Sequence, residues 1–398
     1  MTEVEDTLRR TFGQAEEQAP RLPALLAERL VAAHRRRRRR ARTALAAAAA
    51  VVLAAGGVAA VTRGGDTITA VPASQPLSPK PDASVEQVWP RAVLTAPAKG
   101  PGGLDWRPAA MIDDRTALMV TVTARGGWAA ALYAYDLDSG AQREIVTLPE
   151  SADGYGLANG FAVGNGQVAW WSSGKDRVAG LWTVPVDGGK PRLVGTRSIK
   201  KGDGSGIDVL AVAGDRIVFS LYTGGVFSVP LTGGPVEPVE QGAGMHLLAW
   251  PWIGTPGQGG EPHGTEYARI LNVETGETRT AVTEPGEQIQ ICGVTLCFGQ
   301  GADGRSLVRH RDGSASKVLP GRVALMEPPT QDRFFVSTYG DGGPRGVGLY
   351  DVDTGKAGDL GIRGDGQMIS LPSTDPSGRL LSYLRGDRLY LIDLSRIR

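Results

Sequence analysis

From Leu132 onward, apolar and polar positions alternate along a short segment that keeps returning. The first copy is Leu132-Tyr133-Ala134-Tyr135-Asp136-Leu137-Asp138-Ser139-Gly140. Leu181 to Gly189 and Val226 to Gly234 repeat it, followed by Ile270 to Gly276, a shortened Leu307 to Gly313, Leu349 to Gly355 and a final Leu389 to Leu394. The residue that ends each alternating run falls at 136, 185, 230, 272, 311, 351 and 393, a spacing of 39 to 49 residues. A period of two that stops at a glycine turn predicts one β-hairpin per copy. Upstream of the copies lie further strand pairs, such as Phe161 to Trp170 and Leu210 to Phe219. Four strands every forty-odd residues predict the blade of a β-propeller. A single four-stranded sheet cannot cover both its faces, whereas a closed ring of blades does.

Seven hairpins predict seven blades, an all-β domain over residues 85–398. The seventh copy has no room for an outer strand before Arg398. Val85 to Thr95 has no other place and is predicted to supply that strand, closing the ring. Trp250 through Gly264 reads as a Gly/Pro-rich insertion in the fourth blade.

The N-terminal pattern is different. Val4, Leu8, Phe12 and Ala15 recur at near-helical spacing until Pro20 and Pro23 break it, and Ala24 to Ala33 suits a second short helix. Arg35, Arg36, Arg37, Arg38, Arg39, Arg40 and Arg42 follow, and then Ala44 to Val61 carries no charge. That run is close to the roughly 20 apolar residues a membrane-crossing helix needs. Arginines hold the cytoplasmic side. The expected order is a partly helical cytoplasmic tail over 1–42, a transmembrane helix over 43–62, and an extended Pro/Gly/Ser-rich stalk over 63–84. The propeller then lies outside the cell membrane. A cleaved signal peptide is the rival reading, but its leader would be about 42 residues long.

Charge narrows the function classes. Residues 1–42 hold 11 arginines and six acids, a net of +5 against +1 for the whole chain, so the remainder carries −4. A nucleic-acid-binding outer domain would carry its own basic face, so nucleic acid is not an expected partner. With 56 glycines and 26 prolines the chain suits many tight turns rather than helices.

Candidate chemistry is sparse. Cys292 and Cys297 flank the position of a first hairpin turn, where antiparallel neighbours bring Cβ atoms within bonding reach, and an exported domain predicts a disulfide there. Asp136, Asp138, Asp351 and Asp353 sit in turns, where aspartate bonds its own backbone, rather than in the ordered oxygen spacing of a calcium loop. Ser205 lies in Asp-Gly-Ser-Gly, not Gly-x-Ser-x-Gly, and His246, His263 and His310 are scattered. No catalytic residue, cofactor site or metal site is expected. Among the tryptophans, Trp250 and Trp252 are the candidates for ligand contact.

Val88 to Val93, Ile112 to Thr116 and Leu132 to Gly140 together resemble the TolB-like/WD40-like propellers of actinobacterial single-pass membrane proteins. The arginine run before an Ala-rich helix fits the same group. The resemblance implies a regulatory partner of an extracytoplasmic-function sigma factor. The expected function is therefore a non-enzymatic, membrane-anchored binding or sensing module, its ring meeting a protein or ligand outside and its tail a cytoplasmic regulator. An envelope scaffold without signalling is the alternative, and a channel-centred hydrolase or lyase comes third.

Overall fold

The computed structural model describes residues 80–398, apart from 124–127, 149–154, 175–176, 200–205, 258–263, 321, 324–327, 341–343 and 365–367. The residues expected to form a cytoplasmic tail (1–42, with the arginine run), a transmembrane helix (43–62) and nearly all of a stalk (63–84) lie outside the described residues. Among the described residues no helix is long and apolar enough to cross a membrane.

A four-residue helix, α1 (Val85–Val88), precedes strand β1 (Val93–Pro97). Blade 1 is β2 (Asp105–Met111), β3 (Thr116–Val122), β4 (Ala129–Asp136) and β5 (Gln142–Thr147). Blade 2 is β6 (Tyr155–Gly164), β7 (Gln167–Gly174), β8 (Val178–Pro185) and β9 (Arg192–Ser198). Blade 3 is β10 (Ile207–Ala213), β11 (Arg216–Leu221), β12 (Val226–Pro230) and β13 (Glu237–Pro238). Blade 4 is β14 (His246–Ala249), β15 (Trp252–Thr255), β16 (Arg269–Asn272) and β17 (Thr278–Thr280). Blade 5 is β18 (Gln288–Cys292), β19 (Leu296–Gln300), β20 (Ser306–His310) and β21 (Lys317–Val318). Blade 6 is β22 (Arg322–Val323), β23 (Phe334–Tyr339), β24 (Gly346–Asp351) and β25 (Ala357–Arg363). Blade 7 is β26 (Ser373–Thr374), β27 (Leu380–Arg385), β28 (Arg388–Asp393) and, as its fourth strand, β1. The chain is an all-β, seven-bladed propeller.

In blades 1 to 6 the recurring hairpin of the sequence is the turn after the third strand, and two turn chemistries build five of them. In blades 1, 4 and 6 an Asp or Asn accepts from a glycine four residues on: Gly140 N to Asp136 O at 2.9 Å, Gly276 N to Asn272 O and Gly355 N to Asp351 O at 2.8 Å. Gly140 and Gly355 sit at φ of 72° and 69°, where a side chain would strain the backbone. In blades 2 and 3 the acceptor is a proline three residues back, Gly188 N to Pro185 O and Gly233 N to Pro230 O, both 2.9 Å.

Side chains between blades form the core. Ala110, Leu118, Leu132, Val168 and Trp170 join blades 1 and 2. Trp106, Met119, Leu380, Leu389 and Leu391 join blades 7 and 1, and Phe334, Leu349, Leu381 and Ile392 join 6 and 7. Each fully buried leucine contributes about 1.5–3 kcal/mol. Further clusters join blades 2 and 3, blades 3 and 4, and blades 4, 5 and 6 in the same way.

Residues 85–95 do not form one strand. Ser84 to Trp89 winds into a helical turn because Val85 and Trp89 pack against blades 6 and 7, and Gly358 leaves room where a Cβ would stand 2.9 Å from Val85. Only Val93–Pro97 pairs with β28, placing Thr95 opposite Tyr390. The segment before it also belongs to the ring: Asp359 N donates to Ala83 O at 2.9 Å along the outer edge of blade 6. In blade 4, Trp252 to Thr255 is strand β15, so the irregular stretch is the shorter connection from β15 to β16. Its end, Thr265–Tyr267, lies parallel to β18, with Glu266 N donating to Gln290 O at 2.7 Å and Cys292 N to Glu266 O at 3.1 Å.

Candidate binding site in the central channel

The first strands of the blades line the central channel, and two cavities open along it. The larger, about 430 Å³, is walled by the turns that follow the first strands of blades 4 to 7: Leu248, Ala249, Val294, Pro329, Gln331 and Thr374 lie on it, together with Asp208 of blade 3. The smaller, about 290 Å³, lies where blades 7, 1 and 2 meet. Thr374, Asp375 and Pro376 line both.

The rim of the larger cavity is tied across blades. Asp332 of blade 6 accepts from Thr295 N at 2.9 Å and Leu296 N at 3.2 Å in blade 5. Gly293 makes this approach feasible, since a Cβ there would lie 2.1 Å from Asp332 Oδ1. Arg311 fastens the blade 4 connection to blade 5. It is buried and donates to Gly293 O at 2.8 Å, Tyr267 O at 2.8 Å and Ala268 O at 3.2 Å. Burial pulls its guanidinium down to about 10. In blade 7, Asp375 accepts from Leu380 N at 2.7 Å and Ser377 Oγ at 2.5 Å. Desolvation wins over those bonds and pushes the Asp375 carboxyl above its ordinary value.

On the blade 3 side, Asp208 Oδ2 stands 2.8 Å from His246 Nδ1, and Asp208 Oδ1 accepts from Ser220 Oγ. Ser220 Oγ in turn accepts from Leu247 N at 3.0 Å. His246 is buried, and Gly257 packs on its ring, where a Cβ would come within 2.3 Å. Burial and the negative charges of Asp208 and Glu266 raise the Tyr267 phenol. The serine faces the carboxylate rather than the imidazole, so the relay from nucleophile to base is not assembled here. The network joins blade 3 to blade 4.

Cys292 and Cys297 face each other across β18 and β19, with their Sγ atoms 1.98 Å apart, and both are buried. Trp250 and Trp252 are half-buried. Trp250 Nε1 donates to Glu274 Oε1 at 3.2 Å, and the Arg279 guanidinium stands 4.6 Å from the Trp252 ring centre. Neither tryptophan lines the two cavities. Asp136 and Asp351 bond their own turns, Asp136 Oδ1 accepting from Ser139 N at 2.7 Å and Asp351 Oδ1 from Asp353 N at 3.1 Å. Among the described residues no group of three or more His, Cys, Asp or Glu gathers as metal ligands would. Ser205, His263 and His34 lie outside the described residues. Reading the chain as a sequence missed Arg107, Asp332, Thr374 and Asp375, which look like ordinary strand and turn residues until seven blades converge on one axis.

No protein-family model matches the chain, and no curated protein does. Solved structures do. The protein lmo1340 from Listeria monocytogenes EGD-e is similar at 11% identity and a TM-score of 0.46, covering 76% of this chain and 96% of that one. YCF48 bound to D1 peptide is similar at 11% identity and a TM-score of 0.44, over 76% and 97%. TolB from Acinetobacter baumannii gives 12% identity and a TM-score of 0.31, over 66% and 55%. The seven four-stranded sheets make the fold a β-propeller without help from these likenesses. At such identities the likeness is one of fold and brings no activity with it.

Proposed function

We propose that this protein is a membrane-anchored, extracytoplasmic binding module that works without catalysis, docking a protein partner on the channel mouth formed by blades 4 to 7. The supporting observation is the cross-tied rim: Asp332 holds the turn of the neighbouring blade through two backbone N–H groups. A rim fixed before a partner arrives loses little conformational freedom on binding, which is the gain from preorganisation. The bonded cysteines suit an oxidising compartment, in line with export behind the uncharged 44–61 run and its arginine flank. In this reading the tail over 1–42 meets a cytoplasmic regulator, a sigma factor of the extracytoplasmic-function class being the proposed one.

The docking claim is tested by placing a photo-crosslinking residue at Gln331 or Val294 in the full-length protein in cells, with Lys190 on the outer rim of blade 2 as control. One discrete adduct from the channel positions and none from Lys190 is the expected result; identical labelling from all three overturns it. Reporters fused to the two termini test the topology, and a carboxyl-terminal reporter active only in the cytosol removes the export claim. Residues 1–42 used as bait test the regulator. If their deletion leaves transcription unchanged, the envelope-scaffold alternative takes over.

A further inference from the structure

The segment that closes the ring is fastened unevenly. β1 is held by its ladder on β28 and by the buried Ala96, and no side chain of β1 leaves a buried polar atom unanswered. Residues 81–91 form a strap ahead of it, seated by Val85 and Trp89 in the seam of blades 6 and 7. At that seat three buried polar atoms have no hydrogen-bond partner among the described residues: Glu86 Oε2, Trp89 Nε1 and Tyr383 Oη of blade 7. None of the three has surface on which a water could rest. The Tyr383 phenol lies in the field of Glu86, and burial first, then that carboxylate, raises it above its ordinary value. A polar atom shut away dry costs free energy that is recovered once water reaches it.

The ring satisfies its own groups without the strap. Glu86 Oε1 accepts from Arg385 Nη2 at 2.7 Å, but Arg385 is also held over the Tyr390 ring, 3.8 Å from its centre. Lys80 stands 3.7 Å from Asp359 with its side chain 61% exposed, an ion pair that contributes little. The Asp359 carboxylate keeps Arg363 Nη2 at 2.7 Å and the Tyr339 hydroxyl at 2.8 Å. The helical turn closes on its own backbone, Trp89 N donating to Val85 O at 2.8 Å, and a helix of one turn does not persist alone. We propose that the strap is a cover that lifts as a unit while β1 stays paired with β28. Lifting bares the outer edge of β25 at Asp359 N, now bonded to Ala83 O, and the apolar seat of Val85 and Trp89. The inference does not depend on docking at the channel mouth.

The test uses the full-length protein in detergent and native-state labelling of a buried thiol with dithionitrobenzoate. Cys292 and Cys297 are bonded to each other, so one introduced thiol reports alone. Val85 and Val168 are both fully buried, the second between blades 1 and 2, and Val85→Cys and Val168→Cys are therefore matched variants. The Val85→Cys thiol is expected to react at least about tenfold faster, at a rate flat in low urea, since a local opening exposes little surface. Adding Tyr383→Phe is expected to slow its labelling about tenfold, because the hydroxyl that gains water on opening is gone. Equal rates with the same urea slope at the two sites, or no slowing by Tyr383→Phe, overturns the proposal. Hydrogen exchange of the unsubstituted protein sets the boundary of the unit. Trp89 N and Asp359 N are expected to exchange together and ahead of the β1 amides; β1 exchanging with them would overturn the claim that it stays paired.

Discussion

Arg379 and Asp393 are joined by two parallel hydrogen bonds, Nε to Oδ1 at 3.0 Å and Nη2 to Oδ2 at 2.8 Å. Arg333 and Asp351 repeat the fork in blade 6 at 2.7 and 2.8 Å. In both blades the arginine opens or directly precedes the second strand and the aspartate closes the third. Each fork also reaches across a seam. Arg379 Nη2 donates to Asp114 of blade 1 at 2.8 Å, and Arg333 Nη1 to Ile397 O beyond blade 7 at 3.2 Å. Asp393 is fully buried, so removing its arginine strands a charge.

Arg379→Ala is therefore expected to cost about 2–3 kcal/mol, somewhat under the usual figure for breaking a buried pair. The reason for the lower figure is that Arg396 Nε remains 3.2 Å from Asp393. Arg379→Met combined with Asp393→Leu should cost less than Arg379→Ala alone. Urea unfolding of the three variants checks the order.

The same pairs set the acid limit. Burial works to raise Asp351 and Asp393, but the arginine hydrogen bonds and charges outweigh it and hold both below the usual carboxylate range. A depressed folded-state value contributes stability that is present above the unfolded value and lost as pH falls through the folded one. Thermal melts should be flat near neutrality and drop below about pH 4. Arg333→Gln should lower stability at neutral pH and shrink that drop, because the depressed Asp351 value depends on Arg333.

Asp375 behaves in the opposite sense. Its folded-state value is raised by burial, so the stabilising form is the protonated one, fully present in acid and lost as pH rises through the folded value. Asp375→Asn keeps the acceptor for Leu380 N and is expected to raise Tm by a few degrees at pH 7, about 1 kcal/mol. The gain should vanish in acid, below the ordinary aspartate range. A variant less stable at every pH would show that the carboxylate itself is needed.

Closure of blade 7 by β1 has its own consequence. Deleting residues 80–97 uncovers the edge of β28 and the buried Ala96 site. An unpaired strand edge templates association, so the truncated protein is expected to sediment as oligomers, whereas the intact chain does not. A monodisperse, fully stable truncation would contradict a structural role for β1.

Replacing Cys292 and Cys297 together by serine is expected to destabilise the fifth blade's first hairpin. The bond spans a sequence separation of 5, for which loop closure contributes about 2 kcal/mol. Thiol titration of the native protein should find no free thiol, and denaturant melts of the double variant should show the loss.

Much of the ring was legible from local chemistry. Period-two alternation and glycine turns are properties of neighbouring residues, so Asp136 to Gly140 and Pro185 to Gly189 announce their hairpins before any folding is considered. The count of seven follows from repetition. The disulfide pair was legible for the same reason, since Cys292 and Cys297 are partners within one hairpin. Where the local pattern was ambiguous, packing overruled it: Val85 to Val88 could extend as a strand but winds into a turn of helix because Val85 and Trp89 fill the space over Gly358.

The channel was not legible. Arg107, Thr374, Asp332 and Asp375 are separated by up to 268 residues in the chain. None carries a motif, because what gathers them is the convergence of separate blades on one axis. Trp250 and Trp252 stood out by type, yet packing turned them to Glu274 and Arg279 instead of the cavities. By itself the sequence determined the repeating unit, its number and its turns, since these depend on contacts between near neighbours. Only the tertiary structure decided which side chains face the hollow and which are left without a partner there, since burial and pairing are settled by residues distant in the chain.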